Sequence, residues 1–364
     1  EYAAGRAKYQ ISAAELLQKY LSVEPEASEL KTLMLQDPNL WARRPLTNGL
    51  VSYAIQSVAH LLHLHQLLLE ECDQQHDPET SIQVKKEIWD ASARAVDYCM
   101  LNNEFPTADS MAKIGTRLWA MMASRSPEKL LLKLNAGRVG VVNTPSALNR
   151  FKDVDLSDLV FCCVSGVSMD GRCLYLDRYD HDWDYFDHQL RPARTPEVGV
   201  YGREHRFSTS LFSSDIDPLL LRGLPGLHAE DKVASMAWDV SPEDLGDEDA
   251  NAGNKGDAPA IALDCEGIRL GRFGRICLMQ LQDQKGRVLL CDALRPRVIE
   301  ALRPLLESDA ITKVIHDCRE DSAALFHQHD IQLRGVFDTQ VAYAQLEYAA
   351  GRAKYQISAA ELLQ

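Results

Sequence analysis

The first eighteen residues, EYAAGRAKYQISAAELLQ, recur letter for letter as residues 347–364, so any fold of this chain must place the same segment at both ends. Packing tolerates many apolar exchanges and a solvated face tolerates more, so no physical pressure keeps so long a stretch identical. A recent tandem duplication is the expected cause, with an engineered permutation as the alternative. The chain then reads as one period of an array cut inside a domain, and Glu1 in place of Met agrees with a fragment. Its motifs must be read in wrapped order, from about Ala258 through Gln364 and back to Lys19.

In that order three blocks emerge. The C-terminal block, 258–364, opens with APAIALDCEG, RICLMQLQD and GRVLLCDA, three short β-rich runs separated by Gly- and Arg-containing turns, which reads as an antiparallel meander. A helix is expected at Pro296–Leu306, then a strand in ITKVIHD, a helix in REDSAALFHQH, a strand in IQLRGVFD and a helix in VAYAQL. This mixed order predicts an α/β layer fold. Residues 1–75 continue it with helices over Glu29–Leu35 and Thr47–Leu69, the latter with Pro45 just ahead of its start. Residues 76–135 read as helical, with Trp89, Met100, Leu118, Trp119 and Met122 as core, and 136–240 as β-rich, with VFCCVSGV and GRCLYLDRY paired through Gly171. Together 76–240 form an additional domain. Residues 241–257, SPEDLGDEDANAGNKGD, set six carboxylates against the single Lys255 and read as a solvated linker.

Nine cysteines without a CxxC pair give neither a zinc spacing nor a disulfide framework, and point to a reducing, intracellular compartment, nuclear or cytoplasmic. The apolar stretch Leu61–Leu69 is interrupted by His63, His65 and Gln66 and is too short to span a bilayer, so no membrane partner is expected. A formal charge of −14 argues against a protein that coats nucleic acid with a broad basic surface. A local basic track stays possible, since Arg269, Arg272, Arg275, Lys285, Arg287, Arg295 and Arg297 cluster among the C-terminal strands.

Asp264-Cys265-Glu266 is the strongest chemical signal. Residues two apart on a strand share a face, so both carboxylates point together. Two anions side by side need cationic compensation, which suits hard divalent metals bound through oxygen. In ITKVIHDCREDSAALF, His316 ends a strand and Asp321 lies on the first turn of the next helix, where the helix dipole favours a carboxylate. Asp338 in FDTQ is expected to cap the helix that follows it. Gly137-Arg138-Val139-Gly140 has the spacing of a KH-type backbone clamp, and an ordinary turn is the simpler account. The Asp- and His-rich run from Asp177 to His188 is read as an aromatic-rich loop or edge strand.

Taken together, LDCEG…RICLMQLQD, VIHDCREDSAALF with VFDTQVAY, and Trp41-Ala42-Arg43-Arg44-Pro45-Leu46-Thr47 with Tyr53-Ala54-Ile55-Gln56-Ser57-Val58 resemble the three motifs of the DEDD superfamily of 3′–5′ exonucleases. The resemblance is to the ribonuclease D-like branch, and within it to the Egalitarian-like, exonuclease-domain-containing proteins. It covers about 258–364 plus 1–70. It implies a ribonuclease H-like mixed sheet flanked by helices, split across the chain ends, with the additional domain between. It also implies hydrolysis of 3′-terminal phosphodiesters, on single-stranded RNA ends, at a two-metal site of Mg2+ or Mn2+. By resemblance Asp264, Glu266 and Asp321 would hold the metals and Tyr53 would orient the attacking water. The family pattern Tyr-x-x-x-Asp departs here at Ser57, where a neutral hydroxyl replaces the fourth carboxylate. Reduced catalysis follows, or a non-catalytic module that binds RNA or, through 76–240, a protein. The two copies, 1–18 and 347–364, are expected to compete for the slot after the Asp338 helix.

Overall fold

The computed structural model describes residues 8–9, 11–23, 28–154, 158–179 and 259–351. The chain opens with the short strand β1 (Lys8–Tyr9), then helices α1 (Ala13–Leu21), α2 (Ser28–Gln36), α3 (Asn48–Ala59), α4 (Leu61–Gln75) and α5 (Pro78–Asp97). A second stretch carries α6 (Ala108–Met111), β2 (Arg117–Arg125), β3 (Leu130–Lys133), β4 (Val139–Val142), α7 (Pro145–Arg150), β5 (Leu159–Val167) and β6 (Cys173–Arg178). The third runs β7 (Ala260–Ile268), β8 (Arg275–Gln282), β9 (Val288–Cys291), α8 (Val298–Ala301), α9 (Arg303–Leu306), β10 (Thr312–Ile315), α10 (Arg319–His329), β11 (Val336–Asp338) and α11 (Thr339–Ala349).

Strands β7–β11 form a five-stranded sheet in the order β11-β10-β7-β8-β9, with β7, β8 and β9 antiparallel and β10 and β11 parallel to β7. Both faces are covered, which explains the nearly unbroken apolar runs of β7 and β8. One face packs Val58, Leu61, Leu64, Leu68 and Leu346 from α3, α4 and α11 over Ala262 and Val314, with Leu16 of α1 beside them. The other packs Ile299, Leu305, Leu306, Ala324 and Leu325 over Leu263, Met279 and Leu281. The halves at the two ends of the chain thus share one core.

Helix α5, which the sequence pattern assigns to the additional domain, belongs instead to this core through Val84, Ile88, Ala91 and Ala95. It shields edge strand β11: the Ser92 hydroxyl accepts a hydrogen bond from Asp338 N–H at 3.1 Å. Covering an open edge removes a template for association with other chains. The expected single helix over Thr47–Leu69 is instead two, broken at His60, so that α3 can lie on β7 and β8 while α4 turns to pack on α5 and α11. Helix Pro296–Leu306 likewise divides into α8 and α9.

The largest correction concerns 76–135. Beyond Asp97 the chain is not a continuing helix but runs through a 3-10 turn and the short α6 into strands. Leu118, Ala120 and Met122 alternate into a second core with Leu132, Phe151, Cys162 and Leu174. Leu and Met are good helix formers, so their content misleads; the alternation decides. Leu118 and Met122 are core as expected, whereas Trp89 and Met100 are exposed at 37% and 46%. Strands β2–β6 close into a barrel in the order β2-β3-β4-β6-β5, with β5 pairing back on β2. Only β4 and β6 run parallel, and α7 lies between β4 and β5. The β5–β6 hairpin turns through Gly171, whose φ of +69° a side chain would oppose. Of Gly137-Arg138-Val139-Gly140, the first two form the bend into β4 and the last two are already its strand residues, so the expected turn covers half of the run. No helix among the described residues is long and apolar enough to cross a membrane.

The barrel docks on the sheet through polar contacts. Lys133 Nζ donates to Asp317 at 3.0 Å, the Tyr98 hydroxyl to Glu320 at 3.1 Å, and Arg272 to the carbonyls of Asn102 and Phe105 at 2.8 and 2.7 Å. Arg287 and Arg295 pair with Asp283 and Asp292, so with Arg272 three of the seven residues of the expected basic track are engaged within the fold.

Candidate active site

The site begins with the pleat of β7. Cys265 turns into the core at 3% exposure, which sends Asp264 and Glu266 to the opposite face, under α3. Thr47 caps α3, its hydroxyl accepting from Leu50 N–H, and the helix presents Tyr53, Gln56, Ser57 and His60 on one side. These residues, Asp264, Glu266 and His316 line one cavity of about 300 Å³, closed on its far side by Ser12, Ala13, Ala14 and Leu17 of α1 and by Val23. Tyr53 and Ser57 therefore meet Asp264 and Glu266 although more than 200 residues separate them in sequence.

Asp321, on the first turn of α10, is not part of the cavity wall. It is 4% exposed, lies against the Cys265 thiol, and its Oδ1 has no hydrogen-bond partner among the described residues. The three carboxyls feel one another. Burial pushes Asp264 up to about 6, opposed by a hydrogen bond with Ser57. Burial and the charges of Asp264 and Asp321 raise Glu266, while burial and the charge of Asp264 raise Asp321. Without a cation the site therefore tends toward neutral carboxyls. The Ser57 hydroxyl also lies 2.9 Å from the Ala54 carbonyl, so its one proton serves either that oxygen or Asp264.

His316 is fixed on both ring nitrogens. Nε2 lies 3.1 Å from the Ile11 carbonyl, which can only accept, so Nε2 carries the proton and Nδ1, 2.9 Å from Thr339 Oγ1, accepts. Burial lowers its pKa and keeps it neutral. The Ile11 carbonyl also accepts from Gln340 Nε2 at 3.0 Å. Ser12 follows at once and forms a capping box with Glu15 at the start of α1. Residues 11–18 of the N-terminal copy are thus fastened beside α11, where Lys19 lies 3.6 Å from Glu347. In the C-terminal copy, 347–351 finishes α11 and turns after it; the rest, and with it the expected competition, lies outside the described residues. Asp338 caps α11 as expected, accepting from Gln340 and Val341 N–H, and also accepts from Asp317 and Cys318 N–H at 3.1 and 2.9 Å. One carboxylate thereby ties the start of α10, and so Asp321, to the start of α11.

The family likeness implies divalent cations, and the donor chemistry suits them in kind. Burial and then the charge of Asp264 raise both Glu266 and Asp321, and among the described residues the buried Asp321 Oδ1 has no partner. The donors fall short in number: among the described residues no three His, Cys, Asp or Glu are gathered as a ready ligand group. Sequence reasoning places Tyr53 and Ser57 with the carboxylates. It gives no role to Gln56 or to the α1 wall, because neither carries a charge or motif that marks it before folding.

Comparison with known proteins adds to this geometry. Residues 242–364 match the family described as 3′-5′ exonuclease. Over 85 residues the chain is 42% identical to piRNA biogenesis protein EXD1 of Mus musculus, covering 22% of this chain and 15% of that protein. Over 99 residues it is 30% identical to the Egalitarian protein homolog of Caenorhabditis elegans, covering 26% and 17%. Among solved structures it is similar to the Trypanosoma brucei RNase D complex with RNA U12, at 36% identity over 24% of this chain and 32% of that one. The TM-score there is 0.22, too low to carry a structural argument. The matches span less than a fifth of the length of either of these curated relatives.

Proposed function

Since residues 242–364 belong to the DEDD 3′–5′ exonucleases and their ribonuclease D-like branch, we propose that the cavity between α3, α1 and β7 hydrolyses the 3′-terminal phosphodiester of single-stranded RNA. The convergence of Tyr53 with Asp264 and Glu266 in one cavity, with Asp321 electrostatically coupled to both, carries this reading. In it Asp264 and Glu266 would hold Mg2+ or Mn2+ in the cavity, with Asp321 behind them as a third oxygen donor. When bound, the cations supply charge neutralisation and an acidified water. The Tyr53 hydroxyl orients the attacking water, and the α1 wall limits how much of the strand enters. The exonuclease domain then comprises 258–351 with the segment leading into α1 and the helices to α5, and the barrel is the additional domain.

RNA is favoured as substrate because 85 residues of the chain are 42% identical to a protein named for piRNA biogenesis. Ser57 makes the reaction slow, since its hydroxyl stands where the family places a fourth carboxylate. That same residue supports a second reading, a non-catalytic module that binds RNA or a protein partner. The experiment is a 3′-end degradation assay on 5′-labelled single-stranded RNA and DNA with Mg2+ or Mn2+, run beside Asp264→Ala. A ladder of products shortened from the 3′ end, lost in Asp264→Ala and in EDTA, is expected. RNA binding without any metal-dependent shortening establishes the second reading.

A further inference from the structure

The barrel carries a surface that the exonuclease reading does not use. Its first strand, β2, pairs with the second and the fourth, its third and fifth strands run parallel, and a helix joins the third to the fourth. This is the connectivity of the oligonucleotide/oligosaccharide-binding (OB) barrel, in which the second and third strands and the loop between the fourth and fifth face ligand. Connectivity alone does not give function, so the side chains must carry the claim.

On this barrel the outward positions Val139 and Val141 of β4 and Tyr175 of β6 are apolar where solvent would favour polar groups. Val139 is 42% exposed and Tyr175 36%, Val141 is the direct register partner of Tyr175, and Val167 at the end of β5 is 37% exposed. The Tyr175 ring rests over the bare backbone of Gly166, where an added Cβ would stand 3.3 Å from ring carbon Cδ2. The ring thus lies along the sheet as an open platform. The loop 168–172 borders it, with Met169 fully exposed and the Arg172 side chain 86% exposed; among the described residues the Arg172 guanidinium makes only a long 3.9 Å approach to Asp170. Residues 98–179 hold ten Lys and Arg against eight Asp and Glu, although the whole chain carries −14. The platform also adjoins the candidate active site's framework, since Val139 pairs with Lys133, which donates to Asp317 at the head of α10.

We propose that this face of the barrel is a second binding site, for single-stranded RNA, with a base stacked on Tyr175, apolar contact from Val139 and Met169, and a phosphate met by Arg172. Stacking on an aromatic face tolerates sequence, because every base offers a π-surface. The proposal rests on the barrel alone and stands whether or not the carboxylate site hydrolyses anything.

Its test is the affinity of the full chain for a 5′-fluorescein 12-nucleotide oligo(U) RNA, by anisotropy in EDTA so that no cleavage occurs. Tyr175→Ala is expected to weaken binding by about 5- to 150-fold, the loss tied to removing one stacking platform. Tyr175→Phe should retain the affinity, and Ile82→Ala, an exposed apolar change on α5, should leave it untouched. Arg172→Ala should lower the salt slope by about 0.7, one phosphate contact on a single strand. Unchanged affinity in Tyr175→Ala, with the parent's circular dichroism and melting temperature, overturns the proposal. So does a change in sedimentation mass without a change in RNA affinity, which would make the face a contact between copies, and so does binding of single-stranded DNA but not RNA.

Discussion

The two β-structures of this molecule differ in how they treat buried polar atoms. Around the mixed sheet, Asp321 Oδ1, both side-chain polar atoms of Gln280, Arg44 Nε and His76 Nε2 are buried without a partner; in the barrel, Asn135 Oδ1 alone is, among the described residues. Gln280 is fully buried and stands directly across β8 from Asp264. Each orphan costs about 1–3 kcal/mol. The barrel resolves even its charges, with Arg125 donating to the carbonyls of Phe151 and Val154 at 2.5 and 2.6 Å. The mixed sheet thus leaves polar atoms unpaired at Asp321 and, at Gln280, opposite Asp264, at a cost in stability, whereas the barrel is a scaffold whose proposed binding face lies outside its core.

That contrast can be broken most decisively at Asp264. Asp264→Asn should lower metal-dependent 3′-end hydrolysis by on the order of 10³-fold or more, the scale of losing a member of a catalytic unit. No barrel core substitution should do this in protein that stays folded. Phe151→Ala, which empties the centre of the barrel core, should cost about 3–5 kcal/mol in denaturant unfolding. Its Mn2+ affinity by titration calorimetry should remain that of the parent; a parallel loss of both would merge the two regions into one functional unit.

Stability against pH sharpens the comparison further. Asp264 titrates near 6 in the fold against an ordinary 3.8, so the folded state holds its proton more tightly. The stability it confers is present below about pH 4 and lost as pH rises through 6. In EDTA, Asp264→Asn should therefore match the parent near pH 4 and exceed it at pH 7 by up to about 3 kcal/mol, since each tenfold difference in proton affinity between folded and unfolded chain is worth about 1.4 kcal/mol. Equal stability at both pH values would show that the carboxylate is already compensated. Ser57→Asp should act in the opposite direction, raising Mn2+ affinity and hydrolysis by about 10- to 100-fold, the range attached to changes around a metal site. No gain in either would mean the site is differently built or abandoned. The smallest effect is expected at the wall of the cavity: Ser12→Ala removes a capping box and should cost about 1 kcal/mol, read as a lower melting temperature.

Much of the mixed sheet was legible because its signals are local. The meander, the helix REDSAALFHQH and the cap at Asp338 depend on neighbours within a few residues, and strand parity alone sends Asp264 and Glu266 to one face. The break at His60 was not legible, since the sequence reads helically across it and only the need to cover β7 with α3 and α5 with α4 sets the turn. Nor was the barrel, because Leu- and Met-rich strands mimic helix until closure of β5 on β2 fixes which residues alternate inward.

By itself the sequence determined which side chains are available to the cavity: Asp264, Glu266, Tyr53 and Ser57, with Asp321 behind them. Those identities depend on covalent structure and spacing alone. Tertiary structure decided what surrounds them. It buried Asp321 with an oxygen unpartnered among the described residues, pinned His316 between Ile11 and Thr339, and set Ser12, Ala13, Ala14 and Leu17 against the cavity. It also anchored the head of α10 to Lys133 of a barrel encoded nearly two hundred residues away. Such contacts join segments distant in sequence through burial and hydrogen-bond satisfaction, which no local pattern of residues records.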